Sequence, residues 1–292
     1  MSTDDTARDT QKLVGGGLLV AVALGVGQLL AYAQTLVAAR TLDPAQFGAF
    51  QALLALLLIG NTIALATQAV TARHIVASDP VHRADETAAA WRTTIQAAAL
   101  TAAFWLVISP LIGWALRLDS PATYLLLALT FFPLTVMGGA LGIAQGHETH
   151  ARLASVYLAV GVPKALVTIA ALVAVATLTA GIFGLAAGCA VGAVLCWLLV
   201  RGQFRGGVAR HSTMLREIPA AGYALLALFA LTNLDIVLGR VFLTPEQAGQ
   251  YGVGIIVAKV VTWLPQFVAV MAYARMVDAR RGRTTLVGLG IV

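Results

Sequence analysis

Charge is scarce in this sequence. Only 11% of the 292 residues are Asp, Glu, Lys or Arg, whereas 59% are hydrophobic, and the mean hydropathy is +0.86. A soluble domain carries about 25% charged residues, so this chain cannot cover a globular core with a water-facing surface. The composition argues against a soluble enzyme, a nucleic-acid-binding protein and a disordered scaffold, and it indicates a protein that crosses a membrane several times.

Other absences narrow the class further. Regular alternation of polar and apolar residues is missing, which disfavours an outer-membrane barrel and leaves α-helices as the spanning elements. Cys189 and Cys196 lie seven residues apart on one predicted helix, about 10 Å and too far for a disulfide. His147, Glu148 and His150 are a poor ligand set for a metal. No Gly-x-x-x-x-Gly-Lys phosphate loop occurs, and we predict no metal, no cofactor and no catalytic residues.

Apolar segments define the predicted spans. A spanning helix needs about 20 mostly apolar residues, and eight segments meet this length. They are Leu13–Val37, Phe47–Val70, Thr94–Leu116, Tyr124–Ala144, Leu153–Leu178, Gly181–Val200, Tyr223–Leu243 and Tyr251–Tyr273. A turn is predicted at residues 179–181, because one helix over the fifth and sixth segments would be about 72 Å long. A ninth segment begins at Thr284 and reaches only Val292, which predicts a truncated helix.

The segments predict an all-α, polytopic membrane protein with four parts. Residues 1–12 form a polar leader, 13–200 a six-helix lobe, 201–216 a linker, and 217–292 the first two helices of a second lobe with the truncated ninth. Of the 19 Lys and Arg residues, 14 lie on the side of the N-terminus, and three, Arg40, Arg117 and Arg240, lie on the other. The positive-inside rule therefore predicts that the N-terminus, leader and linker are cytoplasmic.

Two loops resemble each other at an offset of 201 residues. The matched pairs are Leu42 and Leu243, Pro44 and Pro245, Gly48 and Gly249, and Phe50 and Tyr251, with Arg40 and Arg240 one residue out of register. Six spans separate the loops, so the repeat predicts two lobes of like topology, related by an axis along the membrane normal. The alternative is a pair of ordinary interfacial turns, in which Pro and Gly break the helix and Arg reaches the headgroups.

This layout resembles the multidrug/oligosaccharidyl-lipid/polysaccharide exporter superfamily, and within it the polysaccharide-biosynthesis and oligosaccharide flippase family. The residues that carry the resemblance are Ala39-Arg40-x-Leu42-x-Pro44-x-x-Phe47-Gly48-x-Phe50, Gln145-Gly146, Asp235, and Gly249-x-Tyr251. The resemblance covers nearly the whole chain. It implies a transporter of the bacterial inner membrane that flips or exports lipid-linked oligosaccharide by alternating access, with more spans than this chain has, in two lobes around a central cavity.

Three charged side chains lie deep inside predicted spans, where ionisable groups usually face the bundle interior or a wet cavity. Asp235 and Lys259 both lie about 12 Å below the outer ends of their helices. In an antiparallel hairpin they could form a static ion pair or bind a coupling ion, a proton or sodium; alternatively, Asp235 stays neutral and unpaired. Lys164 follows Pro163 near the middle of the fifth span. It either attracts the phosphate of a lipid-linked sugar, or reaches a backbone carbonyl or the headgroups.

Small and amide side chains form a further group of candidates. Amides inside the first three spans include Gln28, Gln34, Asn61, Gln68 and Gln96. Such groups bind sugars through uncharged donors and acceptors, and they equally join neighbouring helices. Gly184, Gly188 and Gly192 repeat every fourth residue in the sixth span and predict a close helix contact.

Other functions remain as alternatives. A multidrug efflux transporter of the same superfamily would have a more acidic and aromatic cavity, whereas cations outnumber acids within these spans. If eight spans are the complete set, the chain is a non-transporting fragment or partner subunit, or a flippase that needs a partner or self-association. A membrane glycosyltransferase or polymerase is the least favoured, because the loops are short and no acids cluster. The predicted partners are a lipid-linked sugar and membrane lipids, not nucleic acid.

Overall fold

The computed structural model describes residues 3–204, 206–208, 213–255 and 258, with side chains from residue 16 onward. All regular secondary structure in these ranges is helical. The helices are α1 (Thr3–Thr41), α2 (Pro44–Gly60), α3 (Thr62–Ala77), α4 (Arg83–Ala115), α5 (Pro121–Gly146), α6 (His150–Ala174), α7 (Leu178–Val200) and α8 (Met214–Phe242), with a short 3₁₀ turn at Arg201–Gln203. Residues 245–255 are also helical.

Seven helical segments in the described part are long and apolar enough to cross a membrane. They confirm the all-helical fold, support a multi-pass membrane protein and correspond in order to the first seven predicted spans. Helices α2 and α3 form one of them, because the hydrogen-bond ladder continues through Asn61: its N–H donates to Leu57 at 2.9 Å, and its carbonyl accepts from Leu65 at 3.1 Å. Most of the eighth predicted span and all of the ninth lie outside the described residues.

The predicted turn was wrong, and several helices extend beyond the predicted spans. The turn expected at residues 179–181 lies earlier, at 175–177, because Thr177 accepts a hydrogen bond from the N–H of Ala180 and caps α7. Helices α4 and α8 begin about ten residues before the predicted spans, and α1 already includes most of the predicted leader. The first turns of α4 and α8 carry Asp85, Glu86 and Glu217, which stabilise a helix N-terminus. Helical structure therefore extends beyond the apolar segments.

Helix α5 is the centre of the bundle and the most deeply buried span. It packs against α3, α4, α6 and α7, while α1 packs on α6 and α8 packs on α2 and α3. The connections α3–α4, α5–α6 and α7–α8 lie at one end of the bundle, here called the inner end. The connections α1–α2, α4–α5 and α6–α7 lie at the outer end.

The glycine stripe of α7 makes the predicted close contact, with α6. A Cβ on Gly184, Gly188 or Gly192 would lie 2.7 Å from atoms of α6. At Gly188 those atoms belong to the backbone of Pro163 and Lys164. The glycines therefore let α7 pack directly against α6 at its proline, and their role is structural.

Candidate functional site

An open cavity of about 590 Å³ lies at the inner end, between α3 and the end of α5. Its lining residues are Ala69, Ala72, Arg73, Val76, Ala77, Gln145 and Glu148. The five residues from α3 recur at the spacing of one helix face, and the three alanines among them leave the space open. We call this cavity the inner pocket. Its polar groups are one guanidinium, one amide and one carboxylate.

Glu148 lines the inner pocket, and its backbone has an unusual conformation. It follows the end of α5 with φ of 53°, in the left-handed region that glycine normally occupies. Its N–H donates to the carbonyl of Gln145 at 3.0 Å and closes the last turn. Gly146, two residues earlier, packs directly against α3. Only glycine fits there, because a Cβ at this position would lie 2.7 Å from the side chain of Ile75. The Gln145-Gly146 motif thus shapes the rim of the pocket.

A cluster of uncharged polar side chains lies beside the pocket. Gln68 Nε2 donates to Gln145 Oε1 at 3.1 Å and is 3.4 Å from the hydroxyl of Tyr157. The cluster joins α3, α5 and α6. Gln68 was among the predicted site residues and Gln145 among the motif residues, but Tyr157 was not predicted, because a tyrosine within an apolar helix carries no distinct signal.

Lys164 lies on the same face of α6 as Tyr157. Seven residues separate them, which is two helical turns and about 10 Å along the axis. The lysine is half-buried. In the part of the chain that the structure describes, its ammonium group forms neither a hydrogen bond nor an ion pair. Tyr157 and Lys164 therefore continue the polar groups of the inner pocket towards the middle of the bundle.

An ionic cluster stands next to the inner pocket and joins three helices. Arg73 of α3 pairs with Glu217 of α8. The neighbouring His74 has Nδ1 3.2 Å from Glu86 of α4 and Nε2 3.0 Å from Glu217. Sequence reasoning used Arg73 only for topology and missed the cluster, because Glu217 is 144 residues away along the chain from Arg73. The cluster holds the inner end of α8 against α3 and α4.

His147 makes a polar contact with the neighbouring helix α4. Its Nε2 lies 3.0 Å from Thr87 Oγ1, and within the described residues no group of His, Cys, Asp and Glu side chains is arranged to hold a metal ion. Burial lowers the pKa of His147 below its usual value of 6.5, and the nearby Arg83 and Arg152 lower it further. The imidazole is therefore neutral at pH 7.

Acidification should destabilise the protein through His147. A group whose pKa is lower in the folded state binds more protons when unfolded, so its contribution to stability falls as the pH drops below 6.5. We expect the melting temperature to fall by a few degrees between pH 7.5 and pH 5. Differential scanning fluorimetry of His147→Gln should show a shallower slope, and equal slopes for the two proteins would contradict the prediction.

The remaining amide candidates do not join this cluster. Gln34 is buried in α1, and its Oε1 has no hydrogen-bond partner among the described residues. Gln28 is exposed on α1, and Asn61 is half-buried between α2 and α3. Gln96 is exposed on α4. We therefore place Gln68 alone among the five in the candidate site.

Asp235 lies on the exposed face of α8, where the hydroxyl of Tyr251 donates to its Oδ2 at 3.0 Å. Its predicted partner Lys259 lies outside the described residues. Asn233, two residues earlier, is buried and donates to the carbonyl of Phe229 at 3.0 Å. The two polar residues of α8 thus point to opposite sides.

The two similar loops contact each other at the outer end. A Cβ on Gly48 would lie 2.8 Å from the backbone nitrogen of Gly249, and one on Gly249 would overlap the carbonyl oxygen of Pro44. The helix that begins at Pro245 therefore crosses the start of α2. At the crossing the two backbones touch, because Gly48 and Gly249 have no side chains to keep them apart. We call this contact the glycine seam.

Helix capping adds two matched positions to these loops. Asp43 accepts from the N–H of Gln46 at 2.9 Å. At the same offset of 201 residues, the Thr244 hydroxyl accepts from the N–H of Gln247 at 3.3 Å. The side chains differ in type, Asp in one and Thr in the other, but both are N-caps. Arg40 is exposed, whereas its counterpart Arg240 is buried.

Comparison with other proteins gives no further information on the function. No protein-family model, no characterised protein and no solved structure matches this chain.

Proposed function

We propose that this chain is a flippase or exporter for lipid-linked oligosaccharide, of the family that its sequence resembles. It would act in a bacterial inner membrane, with the inner pocket on the cytoplasmic side. One observation carries the proposal: Arg73, which lines the pocket and also pairs with Glu217, is followed by the Gln68–Gln145–Tyr157 cluster and then by Lys164. This order of groups suits a ligand with both phosphates and sugars.

The chemistry of such a ligand matches these groups. Phosphate oxygens accept hydrogen bonds from cations, and these charge-assisted bonds are about twice as strong as neutral ones. Sugar hydroxyls both donate and accept, as amides and the tyrosine hydroxyl do. The alanines of α3 allow close approach without competing for hydrogen bonds. The polyprenyl tail would stay in the lipid while the polar head enters the pocket.

Alternating access would require the bundle to open at its other end. The glycine seam closes the outer end in this conformation, and release to the outside would separate the two loops as two lobes rock against each other. Asp235 supports a coupling role, because it is an exposed acid within a span and its described partner is the neutral Tyr251. Protonation or sodium binding at Asp235 would then drive the motion.

The test is a flipping assay with the full chain in liposomes. A fluorescent lipid-linked oligosaccharide is placed in both leaflets, and a membrane-impermeant reductant quenches the molecules that reach the outside. Gln68→Leu removes an amide that can both donate to and accept from sugar hydroxyls, and two such hydrogen bonds to the ligand are worth about 2 kcal/mol at about 1 kcal/mol each. We therefore expect the apparent affinity to fall roughly 30-fold.

Gln96→Leu is the matched control, since Gln96 is an exposed amide on α4, and it should flip at the wild-type rate. Equal activity of the two variants would contradict the assignment of Gln68. Transport of a cationic dye without transport of the lipid-linked sugar would instead favour the multidrug efflux alternative.

A further inference from the structure

The outer ends of α4 and α8 are joined by two arginines, each of which caps the other helix. Arg117 Nη2 donates to the carbonyl of Val241 at 3.1 Å, and Arg240 Nε donates to the carbonyl of Leu116 at 3.2 Å. The carbonyls at a helix C-terminus lack intrahelical partners and carry partial negative charge. The arrangement satisfies one carbonyl on each helix and brings two cations to one place.

Arg117 occupies a position that normally belongs to glycine. Its φ is 53°. Its N–H bonds the carbonyl of Trp114 at 3.2 Å, and the N–H of Leu118 bonds that of Gly113 at 2.9 Å, the pattern in which helices end on a left-handed glycine. The left-handed backbone conformation is unfavourable for an arginine. The hydrogen bond from its side chain to the Val241 carbonyl offsets this cost.

Arg240 has an unused donor in a buried position. The residue is 7% exposed, and its Nη1 has no hydrogen-bond partner among the described residues. A buried donor without an acceptor is unfavourable, and the adjacent Arg117 adds like-charge repulsion. Asp119 and Glu246 act on Arg240 from a distance, but in the described part of the chain neither forms an ion pair with either arginine.

We infer that Arg117 and Arg240 form an outer-face binding site for a phosphate group. A phosphate would accept from Arg240 Nη1 and from Arg117, and its negative charge would remove the repulsion between the two cations. Because Nη1 is covered, side chains must move before the anion reaches it. The exposed Arg117 side chain can exchange its bond to Val241 for one to the phosphate. The phosphate belongs either to an outer-leaflet phospholipid or to a polyprenyl lipid, and only the second source rests on the proposed function.

The test measures lipid-induced stabilisation of the full chain in detergent. Phosphatidylglycerol, a polyprenyl phosphate and phosphate-free diacylglycerol are added separately, and the melting temperature gives an apparent Kd for each. We expect stabilisation by at least one phosphate lipid and none by diacylglycerol. Phosphatidylglycerol alone identifies a membrane-lipid site, and polyprenyl phosphate alone identifies a substrate site.

Arg117→Gly is the decisive variant. Glycine suits the left-handed backbone, so the lipid-free melting temperature should stay near the wild-type value, while the apparent Kd for the phosphate lipid should rise at least 10-fold. Arg240→Lys keeps the charge but lacks the forked guanidinium that can hold the Leu116 carbonyl and a phosphate at the same time, so it should also weaken binding. Arg40→Gln, on the same side of the bundle, should not. Unchanged binding by Arg117→Gly, or equal stabilisation by diacylglycerol, would overturn the site whether or not the chain flips lipid.

Discussion

Gly249→Val should abolish flipping of lipid-linked sugar, whereas Gly254→Val should leave it intact. A Cβ at position 249 would overlap the carbonyl oxygen of Pro44 and lie close to the Pro44 carbonyl carbon. These are backbone atoms at the start of α2, so no side chain can turn away to make room. At Gly254 the same added Cβ meets no atom within 4 Å, and valine there tests only the effect of a larger residue in the helix.

The size of the effect follows from the position of the glycine seam. Overpacking a tight contact costs about 1–3 kcal/mol, and a backbone overlap belongs at the upper end of this range. At about 3 kcal/mol the population of the closed outer end falls roughly 150-fold relative to the open one. A transporter that cannot close outward cannot return its pocket to the inside, so turnover stops although the helices stay inserted.

Thiol labelling measures this change directly. Ala248 is 5% exposed beside the seam, and both native cysteines are buried. A cysteine introduced as Ala248→Cys should resist a membrane-impermeant maleimide in the wild-type background and react readily together with Gly249→Val. A protected cysteine and normal flipping in Gly249→Val would show that the seam does not open and close during transport.

The spans were predictable and the polar contacts were not, for a physical reason. A bilayer requires about 20 apolar residues in each helix, so hydropathy alone located α4 to α8 in order. Helical periodicity explains why Asn233 and Asp235 lie on opposite sides of α8, since two residues turn the helix by about 200°. The pairing of Gln68 with Gln145, or of Arg73 with Glu217, depends on which helices are neighbours. An apolar sequence pattern is alike on every side of a membrane helix and does not specify neighbours.

The ends of the helices were likewise predictable only in part. The start of α7 is fixed by Thr177, which caps the helix. By residue type, Thr179 two residues later would be an equally good cap, so the sequence alone does not locate the helix start. The register difference between Arg40 and Arg240 also has a structural reason. Arg240 follows Asn233 by seven residues and Ile236 by four, which places all three on the packed face of α8. Arg240 thereby reaches Leu116 of the neighbouring helix end, whereas Arg40 remains exposed.

Lys164→Gln should weaken binding of lipid-linked sugar about 10- to 150-fold and at the same time make the protein more stable. A hydrogen bond to a charged group is worth about 1.5–3 kcal/mol, which gives the loss of affinity. The stability gain follows because Lys164 is half-buried within a span and has no counter-ion in the described part of the chain. A charge in that position is unfavourable until the ligand arrives.

Both the loss of affinity and the gain in stability must be measured to distinguish a binding role of Lys164 from a packing role. The core of a bilayer is about 30 Å thick, so a lysine near the middle of α6 lies about 15 Å from either headgroup layer, beyond the reach of its side chain. Lys164→Arg, which keeps the charge, should retain most of the affinity for the fluorescent lipid-linked sugar and the lower melting temperature. A Lys164→Gln protein that binds normally, or melts earlier than wild type, would show that the lysine holds the helices together and does not hold a phosphate.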